Sequence, residues 1–140
     1  MATNDSRVLG GIIDRDWIQF VQHSMDTNYG TSGIYHGIIY NYDTNPYVES
    51  KIISDSIIDF GYPNIASTGI NPNEKECVIG FNYTSINDTN GVSCVYMNNN
   101  EIYSNFTKLH RGNRAIDRLN GNIDRWGAVS YTHLTLPTKA

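Results

Sequence analysis

Apolar residues along this chain alternate with polar ones or run in short blocks, and each block ends in a cluster of Asn, Asp, Gly or Pro. Helical spacing is nearly absent. This pattern predicts strands and turns rather than helices. Strands are expected near 7–13, 16–24, 33–41, 48–54, 62–69, 76–85, 91–98 and 105–110. Short strands at such regular spacing belong to a sandwich, a barrel or a propeller.

The strands repeat. Ile18-Gln19-Phe20-Val21-Gln22-His23-Ser24 aligns with Ile79-Gly80-Phe81-Asn82-Tyr83-Thr84-Ser85. Each segment runs into the same tripeptide, Asp26-Thr27-Asn28 and Asp88-Thr89-Asn90, read here as a turn. Gly33-Ile34-Tyr35-His36-Gly37 then aligns with Gly91-Val92-Ser93-Cys94-Val95, and Lys51-Ile52 with Lys108-Leu109. A unit of this size holds about four strands, as a propeller blade does. The middle strands carry apolar residues on both faces: Ile34 and Ile38 against Tyr35 and Ile39, Ile79 and Phe81 against Val78. A sheet covered on both sides reads this way, which favours stacked blades over a two-layer sandwich. The expected fold class is therefore all-β, about two four-stranded antiparallel blades of a β-propeller. Residues 1–60 form the first blade, 61–120 the second and 121–127 the start of a third.

The ends bear on that division. Residues 129–138, Val-Ser-Tyr-Thr-His-Leu-Thr-Leu-Pro-Thr, coincide residue for residue with a translated sequencing-library adapter. On this reading residues 128–140 are a non-native tail, and the chain is an interior fragment in which Met1 is an internal methionine.

Composition narrows the function classes. The chain holds 17 Asn and 17 Ile, with 10 Tyr and 4 Lys, and its net charge is −4. A mildly acidic chain without a Lys/Arg cluster argues against nucleic acid as a partner. No apolar stretch reaches the roughly 20 residues of a transmembrane helix. Cys77 and Cys94 fit no metal-ligand spacing. A hairpin centred on residue 88 sets Cys94 opposite Asn82 and leaves Cys77 near Asn99, too far apart for a disulfide. Two free, buried thiols are expected.

The order Arg7-Val8-Leu9-Gly10, Ile18-Gln19-Phe20-Val21, Ile34-Tyr35-His36-Gly37, Phe60-Gly61-Tyr62-Pro63-Asn64-Ile65-Ala66-Ser67, Ile79-Gly80-Phe81 and Arg125-Trp126-Gly127 resembles secreted, sialidase-like β-propeller proteins of Bacteroidetes. Many of those carry a type IX secretion sorting domain. The resemblance implies a secreted or cell-surface protein and says more about architecture than activity. Sialidase-type enzymes combine an arginine cluster, a tyrosine nucleophile, an acid and Ser-x-Asp-x-Gly-x-Thr-Trp turns. No such turn occurs here, and the arginines are scattered, with 111–118 read as a solvated loop.

Candidate chemistry is correspondingly thin. His36 sits mid-strand beside Tyr35 and Gly37, with no carboxylate or second ligand at a suggestive spacing; a packed strand histidine is the simpler reading. His23 and His110 offer no more. The Asp-Thr-Asn segments lack the spaced ligands of a calcium loop. Trp126 stacking on a sugar ring and Arg125 binding a carboxylate form the most attractive pair, set against a Trp packed between blades. The expected ligand-binding residues are thus His36, Arg125 and Trp126, with no catalytic residue, metal, cofactor or disulfide. The leading function is a non-catalytic propeller scaffold that binds a glycan or protein ligand. The alternatives are a fragment of a sialidase-like glycan-processing enzyme and an adhesive β-sandwich module.

Overall fold

The computed structural model describes residues 7–114, which fold into eight strands with no helix among the described residues. They are β1 (Val8–Ile13), β2 (Trp17–Asp26), β3 (Thr31–Tyr40), β4 (Tyr47–Ile53), β5 (Asp59–Ser67), β6 (Cys77–Ser85), β7 (Asp88–Met97) and β8 (Thr107–Arg111). All eight expected strands are present. Two four-stranded antiparallel sheets result, ordered β1-β2-β3-β4 and β5-β6-β7-β8. Each is an open meander in which every strand pairs only with its sequence neighbours. Segments 121–127 and 128–140, and with them Arg125 and Trp126, lie outside the described residues.

Period-two alternation builds the core. In the first sheet Trp17, Gln19, Val21 and His23 of β2, and Ile34, His36 and Ile38 of β3, point inward and are buried. In the second, Cys77, Ile79, Phe81 and Tyr83 of β6 and Ser93, Val95 and Met97 of β7 do the same. The two inner faces share one apolar cluster, with Phe60 and Ile65 of β5 between them. Phe60 stacks within 4.6 Å of Phe81 and 5.1 Å of Phe106, centroid to centroid.

β5 fastens the second sheet to the first. Its register shifts between Gly61 and Asn64, around Pro63, at an edge where proline's missing N–H is tolerated. Tyr62 there has φ 52°, and its released N–H donates to Nε2 of His23 in β2 at 2.7 Å. Asp59 Oδ1 accepts from the Ser32 amide at 2.8 Å, and Ser32 Oγ donates to the Phe60 carbonyl.

Several expectations need correction. The β6–β7 turn is tighter than a hairpin about residue 88: Ser85 pairs with Asp88, leaving Ile86-Asn87 at the tip and a bulge between Tyr83 and Ser85. Asp88-Thr89-Asn90 therefore opens β7, whereas Asp26-Thr27-Asn28 leads from β2 into a true turn. The slip sets Cys94 opposite Gly80 and Cys77 opposite Met97. Both thiols are free, but only Cys77 is buried, Cys94 being half-exposed. Lys51 pairs with inward-facing His36 and Lys108 with inward-facing Ser93. Their partners are not repeat equivalents, because a bulge between Val92 and Ser93 displaces β8. Arg111 ends β8 rather than lying in a loop, and its Nε meets Asp88 at 2.6 Å. Finally, among the described residues the outer faces are incompletely covered: Ile13, Val48, Val92 and Tyr96 stand exposed there.

Candidate functional site

The polar groups of the inner faces converge where β3 and β4 meet the segment joining β7 to β8. His36 is wholly buried, and both ring nitrogens are bonded to protein. Nε2 lies 2.8 Å from Gln19 Oε1, a pure acceptor, so Nε2 carries the proton. Nδ1, 2.6 Å from Tyr103 Oη, accepts from that hydroxyl. The Gln19 amide in turn donates to the Lys75 carbonyl at 3.0 Å. Every member of the chain Tyr103–His36–Gln19–Lys75 is satisfied with the imidazole neutral. Burial reinforces this by pulling the His36 pKa from 6.5 down to about 4, against a weaker upward pull from Glu101. Burial likewise raises the Tyr103 hydroxyl above its ordinary range.

A charged cluster flanks this chain. Lys75 Nζ donates to Tyr40 Oη at 2.9 Å and to Glu101 Oε2 at 2.8 Å. Burial alone would lower the Lys75 pKa, but the bonds to Glu101 and Tyr40 outweigh it and raise it. Glu101 feels the same contest: burial raises its carboxyl pKa, and Lys75, with Tyr40 and Glu49, more than reverses the shift. Tyr40 stacks on Tyr47 at 5.1 Å.

Beside the network a cleft of about 330 Å³ opens between β4 and residues 103–106. Phe60, Phe106 and Tyr103 give it an aromatic wall, and Lys51 stands at its rim with Nζ 4.5 Å above the Tyr103 ring. Most polar groups around it are committed. Ser54 Oγ donates to Asp26 Oδ2 at 2.6 Å, Ser104 Oγ to the Asn105 carbonyl at 2.9 Å, and Asp55 Oδ1 accepts from the amides of Ile57 and Ile58. The side chains of Lys51 and Asn105 have no hydrogen-bond or ion-pair partner among the described residues. The cleft thus offers one cation, one amide and three aromatic faces.

Of the sequence-derived candidates, His36 is placed just behind this cleft, joined to it through Tyr103 but with neither nitrogen open. Arg125 and Trp126 lie outside the described residues. Sequence reasoning did not name Gln19, Lys51, Tyr103 or Asn105 as site residues. Tyr103 lies in an Asn-rich stretch that reads as turn, and its bridge to Met97 and its bond to His36 set it inward. Among the described residues no group of three His, Cys, Asp or Glu is gathered as a metal site, and no helix is long and apolar enough to cross a membrane. No family model, curated protein or solved structure matches the chain.

Proposed function

We propose that this chain is a non-catalytic, repeat-built β-propeller scaffold of a secreted or surface-attached bacterial protein, and that it binds a glycan bearing a carboxylate in the cleft beside Tyr103. The observation that carries this reading is the pairing of two uncommitted polar groups, Lys51 and Asn105, with an aromatic wall. Aromatic rings take the apolar face of a sugar, an amide takes its hydroxyls, and the ammonium takes its carboxylate. Groups able to move protons are committed elsewhere: His36 is held neutral between Tyr103 and Gln19, and Lys75 is paired with Glu101. That supports binding over turnover.

Calorimetric titration of the chain with uronic and sialic acids tests the reading. Binding of one of these is expected, weakened about tenfold or more by Lys51→Ala and by Tyr103→Ala, since a desolvated ion pair or stacked ring contributes at least about 1.4 kcal/mol. Binding unaffected by either substitution, or no binding of any acidic sugar, overturns it.

One observation favours a second reading, the adhesive β-sandwich module. Two sheets enclosing a single core with exposed outer faces are what a two-layer sandwich presents.

A further inference from the structure

The repeat and the packing together say what fits the bare outer faces. The alignment equates Ile18 with Ile79 and Phe20 with Phe81. Ile79 and Phe81 point inward from the second sheet, whereas Ile18 and Phe20 point outward from the first. Across β2, β3, β6 and β7 the outer face of the first sheet is therefore the counterpart of the inner face of the second; β8 departs from this, because its bulge sets Lys108 inward as Lys51 is. The two-residue slip in the β6–β7 hairpin does not disturb this, because side-chain direction has a period of two.

One detail of register supports the equivalence. On the outer face of the first sheet one aliphatic row crosses all four strands: Ile13 opposite Ile18, Ile18 opposite Ile39, Ile39 opposite Val48. On the inner face of the second sheet the row is Ile65 opposite Ile79 opposite Val95. The second row is at most 2% exposed; in the first, Ile13 is 75% and Val48 51% exposed. Each of the two faces also carries an aromatic ring over a glycine directly across the ladder, at positions the repeat does not equate. Phe20 covers Gly37, and Tyr83 covers Gly91. A Cβ on either glycine would collide with the ring.

The interface already made joins the inner face of the first sheet to the inner face of the second. By the repeat, what remain are a second example of each partner. The outer face of the first sheet matches the face that the first sheet's own inner side covers. The outer face of the second, with Val78, Val92 and Tyr96, matches the covering side. From this we infer that the chain associates head to tail with a second copy of itself, the outer face of one copy's second sheet seating on the outer face of the next copy's first sheet. Such an interface is heterologous, so association does not stop at a dimer unless the rotation closes a ring. The inference rests on the repeat, not on the cleft. Its failure leaves sugar binding untouched, and Lys51→Ala and Tyr103→Ala alter neither outer face.

Sedimentation velocity over a wide concentration range tests it on the full chain and two double variants. One carries Ile13→Lys and Val48→Lys on the first sheet; the other carries Val92→Lys and Tyr96→Lys on the second. The wild type is expected to grow with concentration beyond a dimer or into a closed ring. Each double variant alone is expected to stay monomeric, and an equimolar mixture to form dimers and nothing larger, because each variant keeps one sound face. All four positions are exposed, so thermal melting should be unchanged at concentrations low enough to keep the wild type monomeric. If either double variant melts early, Val48→Glu and Val92→Glu alone replace them in the same mixing test. A wild type that stays monomeric overturns the proposal, as does a mixture that yields no dimer, or a double variant that still dimerises alone, which is the behaviour of a self-complementary two-fold contact.

Discussion

The two sheets share a meander order and a repeated Ile-x-Phe strand, yet the same positions meet opposite fates. Phe81 is 2% exposed at the centre of the core; Phe20, its counterpart, lies half-buried on an outer face against Tyr35 at 5.8 Å. The inner faces differ in chemistry as well. The second sheet contributes mostly apolar side chains, whereas the first contributes Gln19, His23 and His36 among its aliphatics. The interface is thus built from one polar-studded side and one apolar side. Its polar side is tolerated because each of those three groups has a partner.

The largest expected effect breaks the sequence symmetry between the two phenylalanines. Phe81→Ala should cost roughly 3–5 kcal/mol by leaving a core cavity. Phe20→Ala should cost only about 1 kcal/mol, as befits a half-exposed site. Urea unfolding at low protein concentration compares them, and equal losses would mean that both faces are covered in solution.

A smaller effect concerns the polar side of the interface and depends on pH. The folded-state pKa of His36, about 4, lies below its ordinary 6.5. The unfolded chain therefore binds a proton that the folded chain refuses. Stability is fully present above pH 6.5 and is lost as pH falls toward 4, by on the order of 3 kcal/mol. Carboxylates with ordinary values of 3.8 and 4.5, such as Asp26, Asp88, Glu74 and Glu101, have theirs lowered on folding and add losses of their own only at more acid pH. Unfolding midpoints at pH 6.5 and 5 should therefore differ in the wild type and converge in His36→Gln. A wild-type profile flat over that interval would show that the imidazole charges without cost.

The smallest effect sharpens the apolar side. Tyr83 Oη is buried without a hydrogen-bond partner among the described residues. Tyr83→Phe removes that unsatisfied group while keeping the ring beneath Lys108, whose Nζ sits 4.9 Å from its centroid. A gain of about 1 kcal/mol is expected. Loss of stability on this substitution would reveal a partner for the hydroxyl.

These contrasts also mark how far the sequence could be read. Strand number, order and the two four-strand units follow from alternation and turn residues, which act locally. The positions of Ile18 and Ile79 in the repeat were legible for the same reason. Which face each would present was not, because that depends on how the sheets dock. The Asp88-Thr89-Asn90 segment misled because Asp and Asn favour turns, while here Asp88 begins a strand and anchors Lys108 and Arg111 of β8 instead. The cleft was least legible. Lys51, Tyr103 and Asn105 come from β4 and an irregular segment more than fifty residues on, and nothing in their spacing announces that the fold brings them together.

The meander order carries a last consequence, in time rather than in space. Each strand bonds only to its chain neighbours, so every ladder closes through a short loop, and each sheet can assemble without waiting for the other. The bonds of β5 to Ser32 and His23, of Tyr103 to His36 and of Gln19 to Lys75 are what join residues far apart in sequence across the two layers. Docking of preformed sheets is then the slow, search-limited event.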